Sequence, residues 1–126
     1  MKKLKLSLIG IFMMFSLVSF SQDNSSKKEV TVVFLATINP QEQDALNYYF
    51  KYVQPMFTKV GGKDISQYKI TEKFLGDDDT QIIAISTFPS KKVMDNFFNS
   101  KEYQKLVPYR DKAFKDLDIF IVNKTK

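Results

Sequence analysis

The sequence predicts an α+β domain: a four-stranded antiparallel sheet carrying its helices on one face. Three observations lead there. Apolar, β-branched runs alternate with amphipathic stretches in the order strand, helix, strand, strand, helix, strand. Turn and capping residues stand between them. The chain has 126 residues, which suits one domain of ordinary size.

The first 21 residues stand apart from this domain. Lys2, Lys3 and Lys5 make a basic start, and Leu6 to Phe20 is an uncharged, mostly apolar run of 15 residues. Ser19 and Ser21 then occupy the small-residue positions of a cleavage site before Gln22, the layout of a secretory signal peptide. The run is shorter than the ~18–20 apolar residues that cross a bilayer, and no Cys follows it to carry a lipid. The expected protein is exported, periplasmic or extracellular, with no stable membrane anchor after signal cleavage. Three of the 19 basic side chains leave with this segment, so 16 remain against 14 acidic ones and the net charge falls from +5 to +2. With no basic stripe left, no nucleic-acid partner is expected.

Residues 22–29 read as a flexible polar leader, 30–122 as the domain and 123–126 as a polar tail. Val30 to Ile38 is the first strand. Asn39-Pro40-Gln41-Glu42 has the form of a helix start, with Asn39 as cap and Glu42 completing a capping box. The helix that follows places Leu46, Tyr49, Phe50, Val53, Phe57 and Val60 on one stripe, with Pro55 expected to kink it. Gly61-Gly62 ends it. Ile65 to Leu75 reads as the second strand, with Tyr68, Ile70, Glu72 and Phe74 on one face. Gly76 to Asp79 turns the chain into a third strand, Gln81 to Phe88. Pro89-Ser90 opens a helix with Val93, Met94, Phe97 and Phe98 inward, and Asn99 to Glu102 is a second capping box. The next helical stretch carries Tyr103, Leu106, Val107, Arg110 and Phe114 on one side, with Pro108 marking a bend or restart. Leu117 to Val122 is the last strand.

This βαββαβ order fits a ferredoxin-like fold. Both faces of its sheet read as apolar. Val30, Val32, Phe34 and Ala36 oppose Val33 and Leu35; Ile83 and Ile85 oppose Ile82, Ala84 and Phe88; Leu117, Ile119 and Ile121 oppose Phe120 and Val122. Two helices on one face leave the other uncovered, and an open face of that size would be a large hydrophobic patch. A second copy of the chain on a twofold axis is the expected cover, so the protein is expected to be a homodimer.

Composition closes several chemistries. The chain has no Cys, His or Trp. Thiolate nucleophiles, Cys-ligated metals, Ser-His-Asp triads and imidazole bases are therefore excluded. No cofactor or metal is implied. Gly76-Asp77-Asp78-Asp79-Thr80 lacks the register of a calcium loop and reads as a solvated turn. Four residues are candidates for a ligand site. Arg110 is the only Arg and falls on an apolar stripe, where it either clamps an anion or pairs internally with Asp118, Asp111 or Glu72. Glu72 alternates with Ile70 and Phe74 and is a candidate proton acceptor, or a solvated or Lys-paired carboxylate. Tyr49 and Tyr103 offer phenols to orient a ligand, or act as core rings with a hydroxyl at the edge. Arg110 and Glu72 are also the weak catalytic candidates.

Several of these residues together resemble the family called domain of unknown function 1330. Val60-Gly61-Gly62-Lys63 is similar to that family's helix end. Phe88-Pro89-Ser90 and Phe97-Phe98-Asn99-Ser100-Lys101-Glu102-Tyr103-Gln104 are similar to its strand end and second helix, and Arg110 and Asp118 also fit. Where the family commonly has Trp-Tyr, this chain has Phe97-Phe98, which removes a ring-nitrogen contact. The resemblance implies a dimeric α+β barrel, with two sheets packed face to face, and implies no settled activity. The wider barrel group includes cofactor-independent monooxygenases, isomerases and haem degraders; the last use His and Trp, which this chain lacks. Three functions are therefore expected in turn. The first is a small-molecule-binding domain with its pocket inside the barrel or between sheet and helices. The second is a cofactor-independent monooxygenase or isomerase acting on a small aromatic or enolic substrate. The third is an interaction domain with a filled core.

Overall fold

The computed structural model describes residues 28–125. The expected signal peptide, its expected cleavage site and most of the expected leader lie outside the described residues. The elements are β1 (Val30–Ile38), α1 (Gln43–Lys59), β2 (Lys63–Lys69), β3 (Ile82–Phe88), α2 (Lys91–Asn99), α3 (Lys101–Ala113) and β4 (Phe114–Val122). The four strands form one antiparallel sheet in the order β2-β3-β1-β4. This is the expected ferredoxin-like arrangement, with the second helical layer split in two.

Register assigns the faces. Val32 lies opposite Ser86 and Ile121, Phe34 opposite Ala84 and Ile119, and Ala36 opposite Ile82 and Leu117. Directly paired residues share a face, so these line the helix side. Val33 lies opposite Ile85 and Phe120, and Leu35 opposite Ile83 and Asp118, on the outer side. The core sits under the helices, where Val32, Tyr49, Val53, Phe57, Phe88, Met94, Phe97, Tyr103 and Leu106 form one buried cluster. Phe97 is its hub: its ring centroid lies 5.2–6.2 Å from those of Phe57, Phe88, Phe98 and Tyr103.

Capping serines set the last two helices. Ser90 Oγ accepts from the Val93 N–H at 3.1 Å, and Ser100 Oγ accepts from the Tyr103 N–H at 3.1 Å while donating to the Phe97 carbonyl at 2.8 Å. Such caps are worth about 1 kcal/mol each. Beyond the end of α1 the chain turns at Gly61, whose φ of +89° suits a residue without a side chain, and a Cβ there would stand 2.8 Å from Pro89 Cγ.

Five expectations are corrected. Asn39 caps no helix: its Oδ1 accepts from the Gln41 N–H at 3.1 Å and closes a local turn, so α1 begins only at Gln43. Phe50 is 42 % exposed, because it lies at the rim of the buried stripe. The second strand starts earlier and stops earlier than Ile65–Leu75. After the Ile70 N–H bonds to the Gln81 carbonyl, the opposing chain is the Gly- and Asp-rich Gly76–Thr80, which offers no ladder. Glu72, Phe74 and Leu75 therefore lie in a connection, with Phe74 99 % exposed. Pro108 does not restart the helix, since α3 runs unbroken from Lys101 to Ala113, and α1 likewise continues through Pro55. Phe114 is a strand residue, not a helical one, because Ile38 of β1 pairs with it.

Candidate functional site

The helix layer does not cover the sheet evenly. α1 packs on α3, and the buried faces of both lie over β1 and β3, while β2 is exposed along nearly its whole length. Between α1 and the β2 side of the sheet lies a cavity of about 270 Å³. Its roof is one face of α1, with Tyr49, Val53 and Phe57. Its end wall is Phe97 and Phe98 of α2. Its floor holds three small residues, Ala36, Ala84 and Ser86, and these keep it open. A dry cavity of ~150 Å³ accepts benzene, so this one has room for a ring with a substituent.

The polar groups gather at the β2 side. Gln54, Asp64 and Gln67 line the cavity there, and Asp64 Oδ1 accepts from the Ser86 hydroxyl at 3.1 Å. Among the described residues that line it, Asp64 is the one with a formal charge. Asp64 and Gln67 are three positions apart and in a regular strand would face opposite ways. An irregularity between Asp64 and Ser66 places Asp64 opposite Ser86 and Gln67 opposite Ala84, both on the helix side.

The four residues singled out from the sequence divide into three places. Tyr49 lines the cavity, but its hydroxyl lies 3.0 Å from that of Tyr103, which is 1 % exposed. Burial, with Tyr103 beside it, raises the Tyr49 phenol well above its ordinary range, so it stays neutral. Arg110 Nη1 donates to the Tyr103 hydroxyl at 3.2 Å, and Nε and Nη2 donate to Asp111 Oδ1 at 3.2 and 3.1 Å. Partial burial disfavours its charge, but Tyr103 and Asp111 more than offset this and hold it above the usual guanidinium range. Arg110 lies outside the cavity, at a shallow surface depression with Asp111 and Ile119. Glu72 is exposed in the β2–β3 connection, beside Leu35 and Ile83 of the outer face. The fold thus joins Tyr49, Tyr103 and Arg110 in one hydrogen-bonded chain and leaves Glu72 across the sheet.

Asp64, Gln67, Gln54 and Ser86 were not singled out. The available signal was the composition of Lys63–Lys69, KDISQYK, which lacks the apolar alternation of a covered strand. The bulge that aligns Asp64 with Gln67 has no such mark.

The model of a family described as Domain of unknown function (DUF1330) matches residues 31–125. No curated protein matches the chain. Among solved structures, a protein of unknown function from Rhodopseudomonas palustris is similar with a TM-score of 0.70 at 18% identity, over 88% of this chain and 93% of that one. A hydroxynitrile lyase from Passiflora edulis has a TM-score of 0.58 at 16% identity, over 79% and 98%. A dimeric protein of unknown function with a ferredoxin-like fold, from Bacteroides fragilis, has a TM-score of 0.54 at 9% identity, over 76% and 96%. At these identities the likeness is one of fold.

Proposed function

The chain belongs to the DUF1330 family, and from that premise we propose that it is an exported domain that binds a small, largely apolar molecule in the pocket between α1 and the sheet. The cavity of about 270 Å³, with aromatic walls and polar groups confined to one side, carries this reading. Such asymmetry is what a pocket needs to hold a ligand in one orientation. A filled core is the weaker alternative, because the small floor residues Ala36, Ala84 and Ser86 leave the space empty. Catalysis by Arg110 and Glu72 together is weaker still, since the two stand on different sides of the sheet and Arg110 is already paired with Asp111. The N-terminal segment supports export, and the apolar outer face supports pairing of two copies.

The pocket is tested with 2-phenylethanol, followed by backbone NMR. Saturable shifts are expected at Phe34, Ala84 and Phe97, and Ala84→Phe should abolish them while the protein stays folded. Shifts confined to the outer face, or none at all, would end the proposal.

A further inference from the structure

Resting on that pocket reading, we infer that the ligand is a compact aromatic or alicyclic amine, bound with its cationic nitrogen at Asp64 and its apolar body against the end wall. The charge of the lining comes from Asp64 alone among the described residues, so the pocket favours a cation or a hydrogen-bond donor and disfavours an anion. The other neighbouring charges do not reverse this. Lys69 shares the helix side of β2 but does not line the cavity, and Arg110 lies outside it. The carboxylate is held in place, since the Ser86 hydroxyl, itself 4% exposed with its residue, donates to Oδ1. Among the described residues, no hydrogen-bond donor reaches Oδ2, since Ser86 bonds Oδ1. Gln54 and Gln67 flank it with amide oxygens that can accept from the remaining N–H groups of an ammonium. In the same lining, Phe88, Phe97 and Phe98 present aromatic surface suited to a ring.

Three probes of similar size and different charge test this: 2-phenylethylamine, 2-phenylethanol and phenylacetate, titrated calorimetrically into the purified protein. The amine is expected to bind about tenfold more tightly than the alcohol, and phenylacetate more weakly than either. Asp64→Asn keeps the shape and an acceptor for Ser86; it should bring amine and alcohol to within about twofold, chiefly by weakening the amine. Ser86→Ala keeps the charge and should keep a reduced preference for the amine. Equal binding of amine and alcohol by the unaltered protein, or a preference that survives Asp64→Asn, would overturn the inference. If the alcohol still binds in an Ala84→Phe-sensitive manner in that case, the pocket stands and only the ligand class falls. If no probe binds, both fall together.

Discussion

The two faces of the sheet carry similar side chains and meet different surroundings. On the helix side, Val32 and Phe88 are 0% and 1% exposed, sealed by Phe57, Phe97 and Leu106. On the outer side, Val33, Leu35, Ile83 and Ile85 are only half-buried by their neighbours in the sheet, and Phe120 and Tyr68 are 49% and 57% exposed. Strand sequence did not cause this difference, because β1 is apolar on both faces, with Val32 and Phe34 on one and Val33 and Leu35 on the other. Connectivity caused it. Each helical connection, α1 and the α2–α3 pair, leaves a strand and returns over the same side, so the chain covers one face and leaves the other bare. An apolar layer that its own chain cannot cover must meet another surface or remain a liability in water.

The largest effect expected concerns that bare face. The protein should scatter light as a dimer at micromolar concentration, and Ile85→Asp should give a folded monomer, with a dissociation constant raised at least about a hundredfold by the buried charge. Dimers of unchanged strength in Ile85→Asp, or monomers in the unaltered protein, would remove the outer face from any pairing. Next comes the contrast between two phenylalanines. Phe97→Ala, in the hub of the covered face, should cost about 3–5 kcal/mol in urea unfolding at any protein concentration. Phe120→Ala should cost less, and its cost should shrink on dilution as dimers separate. Equal and concentration-independent losses would mean that both faces are covered by the chain itself.

The smallest effect lies in the covered layer alone. The Tyr49 phenol is raised in the folded state by burial. An unfolded chain therefore loses that proton near pH ~10 while the folded one keeps it. The stability from this group is fully present below pH ~10 and falls by about 1.4 kcal/mol per unit as pH rises above it. Urea midpoints measured from pH 9 upward should decline with that slope, and Tyr49→Phe should flatten the decline. An unaltered slope in Tyr49→Phe would place the titration elsewhere.

Much of the fold could be read in advance, and the misses have physical causes. The first strand was legible from Val30 to Ile38 because its β-branched run is bounded by a polar leader and by Asn39-Pro40. Ser90 was legible because Pro89-Ser90 precedes an apolar stripe of helical period. Asn39 misled because the same side chain that caps helices also closes short turns, and only the path of the chain selects between them. The second strand misled because alternation in Tyr68, Ile70, Glu72 and Phe74 does not supply a partner, and a strand ends where its ladder does. Arg110 was read as lying on the stripe, and Asp111 was among its foreseen partners. Its bond to Tyr103 was not foreseen, because residues seven apart on a helix meet only when both side chains lean the same way. Asp64 was missed altogether, since a bulge moves it to the helix side without leaving a trace in composition.

By itself the sequence determined the order of elements, the helix start at Ser90, the apolar character of both sheet faces and the exclusion of thiol and imidazole chemistry; the second box was read with Asn99 as cap, where the structure uses Ser100. Those properties follow from local preference and side-chain type, which each residue carries wherever it goes. Tertiary structure alone decided which face the helices cover, where the helix layer stops short of β2, and that Asp64, Gln67 and Ser86 share the resulting pocket. These depend on strand register and on the path of the connections, and both are set by contacts between residues far apart in the chain.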